Sequence, residues 1–233
     1  MLLQQSIKHI FFDLDKTLWD FESNSRSALA ELYEKYQLAV RGIHDFELFF
    51  QVYSQVNDHC WELYRKNLIN KEYLRHQRFF LTLKKFGIES RSLAKAIGKD
   101  YVAISPTKTT LISGAKEILE HLSKRYSLHI ITNGFEEVQH LKLKNTGIDH
   151  YFQQIITSER AGRRKPDPAI FQFAMKKTGA APNNSLMIGD DLEIDILGAR
   201  NNGWQTIWFN PHQKHDPEGG LAVQQLQQLI SII

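Results

Sequence analysis

The chain has 233 residues, and its 29 Lys and Arg against 26 Asp and Glu give a net charge of +3, too small and too dispersed to indicate binding to a nucleic acid polymer. With 42% hydrophobic and 24% charged residues, the composition is typical of a folded globular protein and argues against disorder. The one cysteine, Cys60, excludes an intrachain disulfide and a cysteine-ligated zinc cluster, which indicates a reducing compartment.

The first predicted element is a buried strand that ends in a polar cluster. The apolar run IFF at residues 10–12 is typical of a parallel strand that is buried on both faces. Asp13, Asp15 and Thr17 follow this run at intervals of two. Because side chains two apart share one face of an extended chain, we expect both acids to point beyond the carboxyl end of the strand. Such a pair suits a bound cation and proton transfer, although an ordinary polar turn would also explain it.

The segment that follows shows helical periodicity and little strand signal as far as Pro106. We predict a first helix over SRSALAELYEKY, with its N-cap at Asn24 or Ser25. Three further helices are predicted over residues 45–66, 71–86 and 90–102. A stretch of this kind is typical of an all-helical domain of about four helices.

Helix and strand alternate in the remainder of the chain. In order, the predicted elements are helix GAKEILEHLSKRY, strand SLHIITNG, helix FEEVQHLKLKNTG, strand QQIITS, helix DPAIFQFAMKKTG, strand SLMIGDD, helix EIDILGARNNG, strand QTIWFN and a closing helix AVQQLQQLISII. This alternation predicts an α/β fold with a doubly wound parallel sheet. The expected domains are an α/β core formed by residues 1–19 and 107–233, and a helical domain inserted between them at residues 20–106.

Four polar segments carry the chemistry that the sequence suggests. They are DLDKT at residues 13–17, ITNG at 131–134, RRKPDP at 163–168 and GDDLEID at 189–195. Three of them follow predicted strands, and doubly wound sheets bind ligands at the carboxyl ends of their strands. A carboxylate that attacks phosphorus needs a divalent cation, an ammonium group and hydroxyl or amide donors, and these segments supply such groups. Taken singly, Asp190 and Asp195 could begin a helix, and Lys165 could be a solvated cation.

These segments, in this order and with a helical insert between the first two, resemble the motifs of the haloacid dehalogenase superfamily, and the resemblance spans essentially the whole chain. It implies a Rossmann-like core with a helical cap and hydrolysis of phosphomonoesters. Dehalogenases need no second acid, so Asp15 favours a phosphatase. A sugar-phosphate phosphatase, a phosphomutase and a 2-haloacid dehalogenase remain alternatives. A non-catalytic binding module is disfavoured because it would retain mutually repelling charges without using them.

The resemblance also implies roles for the matching residues. Asp13 would be the nucleophile that forms an aspartyl-phosphate, and Asp15 would be the general acid and base. The implied catalytic residues are Asp13, Asp15, Thr132 and Lys165, and the implied phosphate-binding residues are Thr132, Asn133, Gly134 and Lys165.

The implied cofactor is Mg²⁺, a small hard cation that prefers oxygen ligands. Asp190 would bind it together with Asp13 and the main-chain carbonyl of Asp15. Asp195 or Asp191 would support the metal site, and the usual spacing of the fourth motif favours Asp195.

Longer segments are similar to bacterial pyrimidine 5'-nucleotidases, namely FFDLDKTLWDF, NDHCWELYRKNLINKEYLRHQRF, ITNGFEEVQHLKL and NPHQKHDPEG. This similarity implies that the substrate is a nucleoside 5'-monophosphate. Trp61, His76 and Arg78 are candidates for reading the nucleoside, with the indole stacking on the base. Trp61 could equally pack between helices of the cap. Because the insert leaves the core beside the nucleophile, we expect it to be a mobile lid.

The sequence predicts a cytoplasmic location. The N-terminal segment MLLQQSIKHIFFD becomes acidic too early for a signal peptide, and no apolar run approaches the ~20 residues of a membrane span. We therefore expect a small phosphate ester as the binding partner, with no membrane and no nucleic acid polymer, in a monomer or weak homodimer.

Overall fold

The computed structural model describes residues 6–233, which divide into two compact units. One unit contains the residues up to Phe21 together with Thr109–Ile233, and the other is Glu22–Lys108. The sequence places the limits of the insert close by, at residues 20 and 106. Among the described residues, no helix has the length and apolar character that crossing a bilayer requires.

Helices dominate the chain between Phe21 and Ile104. They are α1 (Phe21–Lys35), α2 (Phe46–Arg65), α3 (Lys71–Lys85) and α4 (Arg91–Ile104). Polar N-cap side chains accept hydrogen bonds from the first turns of the last three helices, and these residues are Asp45, Asn70 and Ser90.

The predicted N-cap of the first helix was wrong. Asn24 and Ser25 are both buried inside α1, which begins at Phe21. The Ser25 hydroxyl forms a hydrogen bond of 2.9 Å with the hydroxyl of Tyr101 on α4. A long-range partner therefore satisfies this side chain, which local sequence alone would assign to a cap.

Within residues 6–233, six parallel strands form one sheet in the order β3-β2-β1-β4-β5-β6. The strands are β1 (His9–Phe12), β2 (Ser127–Thr132), β3 (Phe152–Thr157), β4 (Ser185–Gly189), β5 (Gln205–Phe209) and β6 (Ala222–Val223). The chain adds β2 and β3 on one side of β1 and β4 to β6 on the other, so the order of strands reverses at β1. The predicted doubly wound parallel sheet is confirmed, and its switch point lies where such folds bind ligands.

Helices connect the strands of this α/β unit. They are α5 (Ala115–Leu122), α6 (Glu136–Thr146), α7 (Ser158–Ala161), α8 (Pro168–Thr178) and α9 (Gly198–Arg200), and a π-helical segment (Leu192–Leu197) precedes α9. Both faces of the sheet are buried, because Ile10 and Phe12 of β1 belong to one apolar cluster and Phe11 belongs to another. This burial explains why β1 reads as a continuous apolar run.

The predicted closing helix was wrong. Its sequence forms β6 and a 3₁₀ helix (Leu226–Ser231) instead. Val223 pairs with Phe209 at the edge of the sheet, and Leu226 and Leu229 are fully buried in the same core. A spacing of three places Leu226 and Leu229 on one face of a 3₁₀ helix, whereas the helical periodicity in the sequence had suggested an α-helix.

A histidine pair lies inside the sheet at the start of β1 and within β2. The Nδ1 atom of His9 and the Nε2 atom of His129 are 3.1 Å apart, and the ring of Phe11 contacts His129 at 4.8 Å between centroids. Burial lowers the pKa of His129 to about 4, and the nearby charge of His9 lowers it as well. The folded protein therefore keeps His129 neutral.

This pair predicts a loss of stability in mild acid. Below pH ~6.5 the unfolded chain protonates His129 and the folded chain does not, so the contribution of His129 to the free energy of unfolding should fall by about 3 kcal/mol down to pH ~4. His129→Leu should remove this contribution. Carboxylates also change the free energy of unfolding with pH, but wild type and variant share them, so their effect cancels in the comparison. Urea unfolding at pH 7, 6 and 5 measures the difference, and His212→Gln in an exposed loop is the control. Parallel pH profiles for wild type and His129→Leu would contradict it.

Candidate active site

The polar residues that follow β1, β2 and β4 lie at the carboxyl ends of the central strands. The backbone N–H of Asp13 donates to the carbonyl of Ile188 on β4 at 2.9 Å, which fixes Asp13 between β1 and β4. Since β1 ends at Phe12, the alternation of an extended strand does not continue to Asp15. The two acids consequently reach different surroundings.

Lys165 connects two carboxylates in the interior. Its Nζ atom donates to Oδ1 of Asp13 at 2.5 Å and to Oδ1 of Asp195 at 2.7 Å, and the residue is 1% exposed. The side chain of Asn133 holds the backbone of Lys165 from both sides, accepting from its N–H at 2.8 Å and donating to its carbonyl at 2.9 Å. The segment after β2 thereby positions the ammonium group beside Asp13.

Asp13, Asp190 and Asp195 form a carboxylate cluster in which one oxygen from each lies within 4.8 Å of the others. Thr17 donates to Oδ1 of Asp190 at 3.1 Å. Gly189 makes room for this arrangement, since a Cβ atom at that position would lie 2.3 Å from Oδ2 of Asp195. The side chain at position 189 is therefore restricted to hydrogen by the site itself.

Burial and mutual repulsion set the proton affinities in this cluster. Desolvation raises the pKa of Asp13 well above its usual range, and Lys165 offsets part of this effect. Desolvation followed by the charge of Asp195 raises the pKa of Asp190 to about 7. Burial alone would lower the pKa of Lys165, but Asp13 and Asp195 outweigh it and raise that pKa. The cluster contains more acid than its one ammonium group can neutralise.

This donor set fits a divalent cation. Two buried carboxylates, Asp13 and Asp195, and the partly buried Asp190 leave an excess of negative charge around the Lys165 ammonium, and their oxygens are the ligands that Mg²⁺ prefers. Asp191 is turned away to cap the following segment, where its Oδ1 accepts from the N–H groups of Glu193 and Ile194. Of the two acids proposed to support the metal, the structure brings Asp195 into the cluster.

Asp15 lies apart from that cluster and is held by α6. The Gln139 amide donates to Oδ2 of Asp15 at 3.0 Å, and the Lys142 ammonium donates to Oδ1 at 2.5 Å. Both carboxylate oxygens thus have a donor from the same helix.

The turn after β2 is tightly packed. Thr132 is buried, and its hydroxyl accepts from the N–H of Gly134 at 3.0 Å. A Cβ atom at Gly134 would lie 2.0 Å from Nε2 of Gln139, so only glycine fits beside this side chain. The predicted phosphate-binding segment therefore also positions one of the groups that hold Asp15.

Within the helical unit, the three candidate specificity residues have different surroundings. Arg78 is 3% exposed, and it donates to Oδ1 of Asn57 at 2.9 Å. Its guanidinium lies 4.8 Å from the ring centroid of Tyr101, and among residues 6–233 no carboxylate forms an ion pair with it. His76 pairs with Glu72 on the same helix at 2.8 Å, and Trp61 makes an edge contact with Tyr64.

Sequence reasoning missed Gln139 and Lys142. Both residues are polar but buried in the structure, whereas the hydrophobic pattern of the helix predicts that its buried positions are apolar. The sequence carried no signal for them, because Leu141 is exposed while Lys142 is buried, which reverses the arrangement that the sequence predicts for an amphipathic helix. The bond of Asn133 to the backbone of Lys165 was also missed, since it joins residues 32 positions apart.

Residues 7–203 match the family model for haloacid dehalogenase-like hydrolases. The chain belongs to this family and is a hydrolase, which confirms the family predicted from the sequence.

Two similar proteins are pyrimidine 5'-nucleotidases. YjjG of Escherichia coli is 34% identical over 212 residues, covering 90% of this chain and 89% of its own. PynA of Streptococcus pneumoniae is 32% identical, covering 88% of this chain and 84% of its own. The crystal structure of YfnB from Bacillus subtilis bound to magnesium, which reveals interdomain movement, superposes with a TM-score of 0.87 at 26% identity and covers 98% of this chain and 99% of that one.

Proposed function

We propose that this protein hydrolyses small phosphomonoesters through an aspartyl-phosphate on Asp13, with Mg²⁺ as its cofactor. The observation that carries the proposal is the buried contact of Asp13 with Lys165, next to the carboxylates of Asp190 and Asp195. A carboxylate nucleophile needs such an ammonium group, because the phosphoryl group brings further negative charge to the same volume.

The proposed reaction has two steps. In the first, a carboxylate oxygen of Asp13 attacks phosphorus, the bond from phosphorus to the leaving oxygen breaks, and Asp15 gives that oxygen a proton. In the second, water attacks the same phosphorus and gives a proton to Asp15, and the bond from phosphorus to Asp13 breaks to release phosphate. Lys165 stabilises the charge on Asp13 and on the phosphoryl oxygens in both steps.

The remaining site residues are proposed to hold the phosphoryl group and the metal. The Thr132 hydroxyl and the backbone at Asn133 and Gly134 would donate to phosphoryl oxygens. Asp13, Asp190 and the main-chain carbonyl of Asp15 would hold Mg²⁺ with support from Asp195, and the ion supplies positive charge beside those oxygens.

The proposed substrates are nucleoside 5'-monophosphates. YjjG and PynA, which match nearly the whole chain, are both pyrimidine 5'-nucleotidases. We propose that the helical unit, residues 20–106, is a cap that selects the nucleoside and moves as a lid. The structure of YfnB provides a precedent for interdomain movement. Arg78 is proposed as the leading specificity residue, because its buried guanidinium contacts the Asn57 amide and the Tyr101 ring, and these neutral groups leave its charge able to bind an acceptor on the substrate.

A substrate screen with controlled metal content tests this function. We expect hydrolysis of nucleoside 5'-monophosphates in Mg²⁺ to exceed that of sugar phosphates, and we expect chelator to stop it. Full activity in metal-free protein, verified by elemental analysis, would contradict the proposed cofactor. Isomerisation of a sugar phosphate would indicate the mutase alternative. Dehalogenation of 2-chloropropionate as fast as the best phosphate ester would contradict the proposed reaction.

Trp61 provides a test of substrate selection by the helical unit. Since base stacking on an aromatic ring contributes about 1–3 kcal/mol, Trp61→Ala should lower kcat/KM for the best nucleotide about 10-fold or more. Its effect on p-nitrophenyl phosphate should be small, because this ester has no nucleoside. Tyr73→Ala, which removes an exposed aromatic ring from α3, is the matched control. Equal losses on both substrates with a lower melting temperature would assign Trp61 to packing.

A further inference from the structure

Two residues of α6 hold Asp15 through both of its carboxylate oxygens. Gln139 and Lys142 are three positions apart on the helix, so their side chains leave neighbouring points of one face. Gln139 donates to Oδ2 at 3.0 Å, and Lys142 donates to Oδ1 at 2.5 Å. Two donors on two oxygens fix the plane of the carboxylate as well as its position.

Lys142 is itself held in place. The residue is 4% exposed, and its ammonium lies 3.8 Å from the ring centroid of Trp19 and 5.9 Å from that of Phe21. A buried ammonium is costly unless it is paired, and within residues 6–233 the carboxylate that pairs with Lys142 is Asp15. The turn that carries Asp15 thus also provides the aromatic surface for its partner.

We propose that Lys142 is a positioning residue for the reaction, and that with Gln139 it orients the Asp15 carboxyl group toward the leaving oxygen of the substrate. The inference rests on the proposed function, in which Asp15 transfers a proton to that oxygen. Lys142 touches no reacting atom in this account, and its effect passes through Asp15 alone. The contact reaches across 127 residues of sequence, which is why no local motif marks it.

Leaving-group dependence separates positioning from a structural role. The value of kcat/KM reports the steps up to departure of the leaving group, which is the point where Asp15 gives up its proton. A nitrophenolate leaves without help, whereas the 5'-alkoxide of a nucleoside requires protonation as the bond to phosphorus breaks. General acid catalysis contributes about 100-fold to 10,000-fold to such reactions. A misplaced Asp15 should therefore lower kcat/KM for the nucleotide much more than kcat/KM for the nitrophenyl ester.

The experiment measures kcat/KM of the full-length protein in Mg²⁺ for p-nitrophenyl phosphate, phenyl phosphate and the best nucleoside 5'-monophosphate. The variants are Lys142→Met, Lys142→Arg and Asp15→Asn, with Lys144→Met as the matched control on an exposed position of α6. We expect Lys142→Met to lower kcat/KM about 10-fold to 100-fold more for the nucleotide than for the nitrophenyl ester. Asp15→Asn should likewise lower kcat/KM more for the nucleotide. Lys142→Arg should recover part of this loss, and Lys144→Met should match wild type.

An equal loss of Lys142→Met on all three esters, or no loss, would overturn the proposal. If Lys142→Met does not fold, Lys142→Gln retains a donor and is measured against the same criterion, with melting temperatures recorded for every variant. Failure of the proposed function has a different signature, since wild type would then lack phosphatase activity or Asp15→Asn would show no leaving-group dependence. If kcat/KM of Asp15→Asn depends steeply on the leaving group while both Lys142 variants behave as wild type, the role of Lys142 is rejected and the proposed function is not.

Discussion

Asp13→Asn is expected to abolish turnover of phosphate esters while leaving the protein folded. The amide has nearly the shape of the carboxylate but is not a nucleophile, so kcat should fall by roughly 10,000-fold or more. Stability should be equal or higher, because a neutral amide avoids the burial penalty that raises the pKa of Asp13, and because the Lys165 ammonium keeps Asp195 as its partner. Steady-state kinetics and urea unfolding measure the two effects.

Asp149→Asn is the matched control, since it makes the same chemical change at an exposed position of the α/β unit. It should leave both kcat and the free energy of unfolding within experimental error of wild type. Near-normal turnover by a folded Asp13→Asn protein would exclude Asp13 as the nucleophile. Loss of turnover together with unfolding would leave the chemical role unsupported by this variant.

Lys165→Met is expected to damage both catalysis and folding. The change keeps much of the alkyl stem but removes the ammonium that contacts Asp13 and Asp195. Removing one partner of a buried ion pair costs about 3–5 kcal/mol of stability, and the loss of a charge that stabilises the transition state should lower kcat about 100-fold or more. Urea unfolding and kcat in saturating Mg²⁺ measure these effects separately.

Arg163→Met tests whether the position of the charge matters. Arg163 lies in the same basic segment, but its side chain is mostly exposed, and its contact with Asp167 is 3.6 Å long. An exposed pair of this kind contributes about 0–1 kcal/mol, so the change should have little effect. Equal effects of the two substitutions would show that Lys165 is not the residue on which the site depends.

Much of the fold and the site follows from patterns that short segments of sequence contain. Alternating helix and strand predicted the parallel sheet, and apolar runs that end in polar residues predicted its functional edge. Asp190 could be placed near Asp13 because strand ends in a doubly wound sheet converge, whereas Lys165 and Asp195 were placed there by the resemblance to the motifs of the haloacid dehalogenase superfamily.

Other features depend on contacts between distant residues. The carboxylate of Asp15 could not be placed from the sequence, because its direction depends on Gln139 and Lys142 on α6. The closing segment was predicted as a helix because its apolar residues do not distinguish an α-helix from a short strand followed by a 3₁₀ helix. Pairing of Val223 with Phe209 decides between them.

The most direct test of the account is to identify the residue that carries the phosphoryl group during turnover. The protein is mixed with excess substrate in Mg²⁺, quenched in acid within milliseconds and reduced with borohydride, which converts an aspartyl-phosphate to homoserine. Peptide mass spectrometry then locates the altered residue. We predict homoserine at position 13 in wild type and none in Asp13→Asn. Modification of a different residue, or rapid turnover that never produces a modified aspartate, would contradict the proposed mechanism.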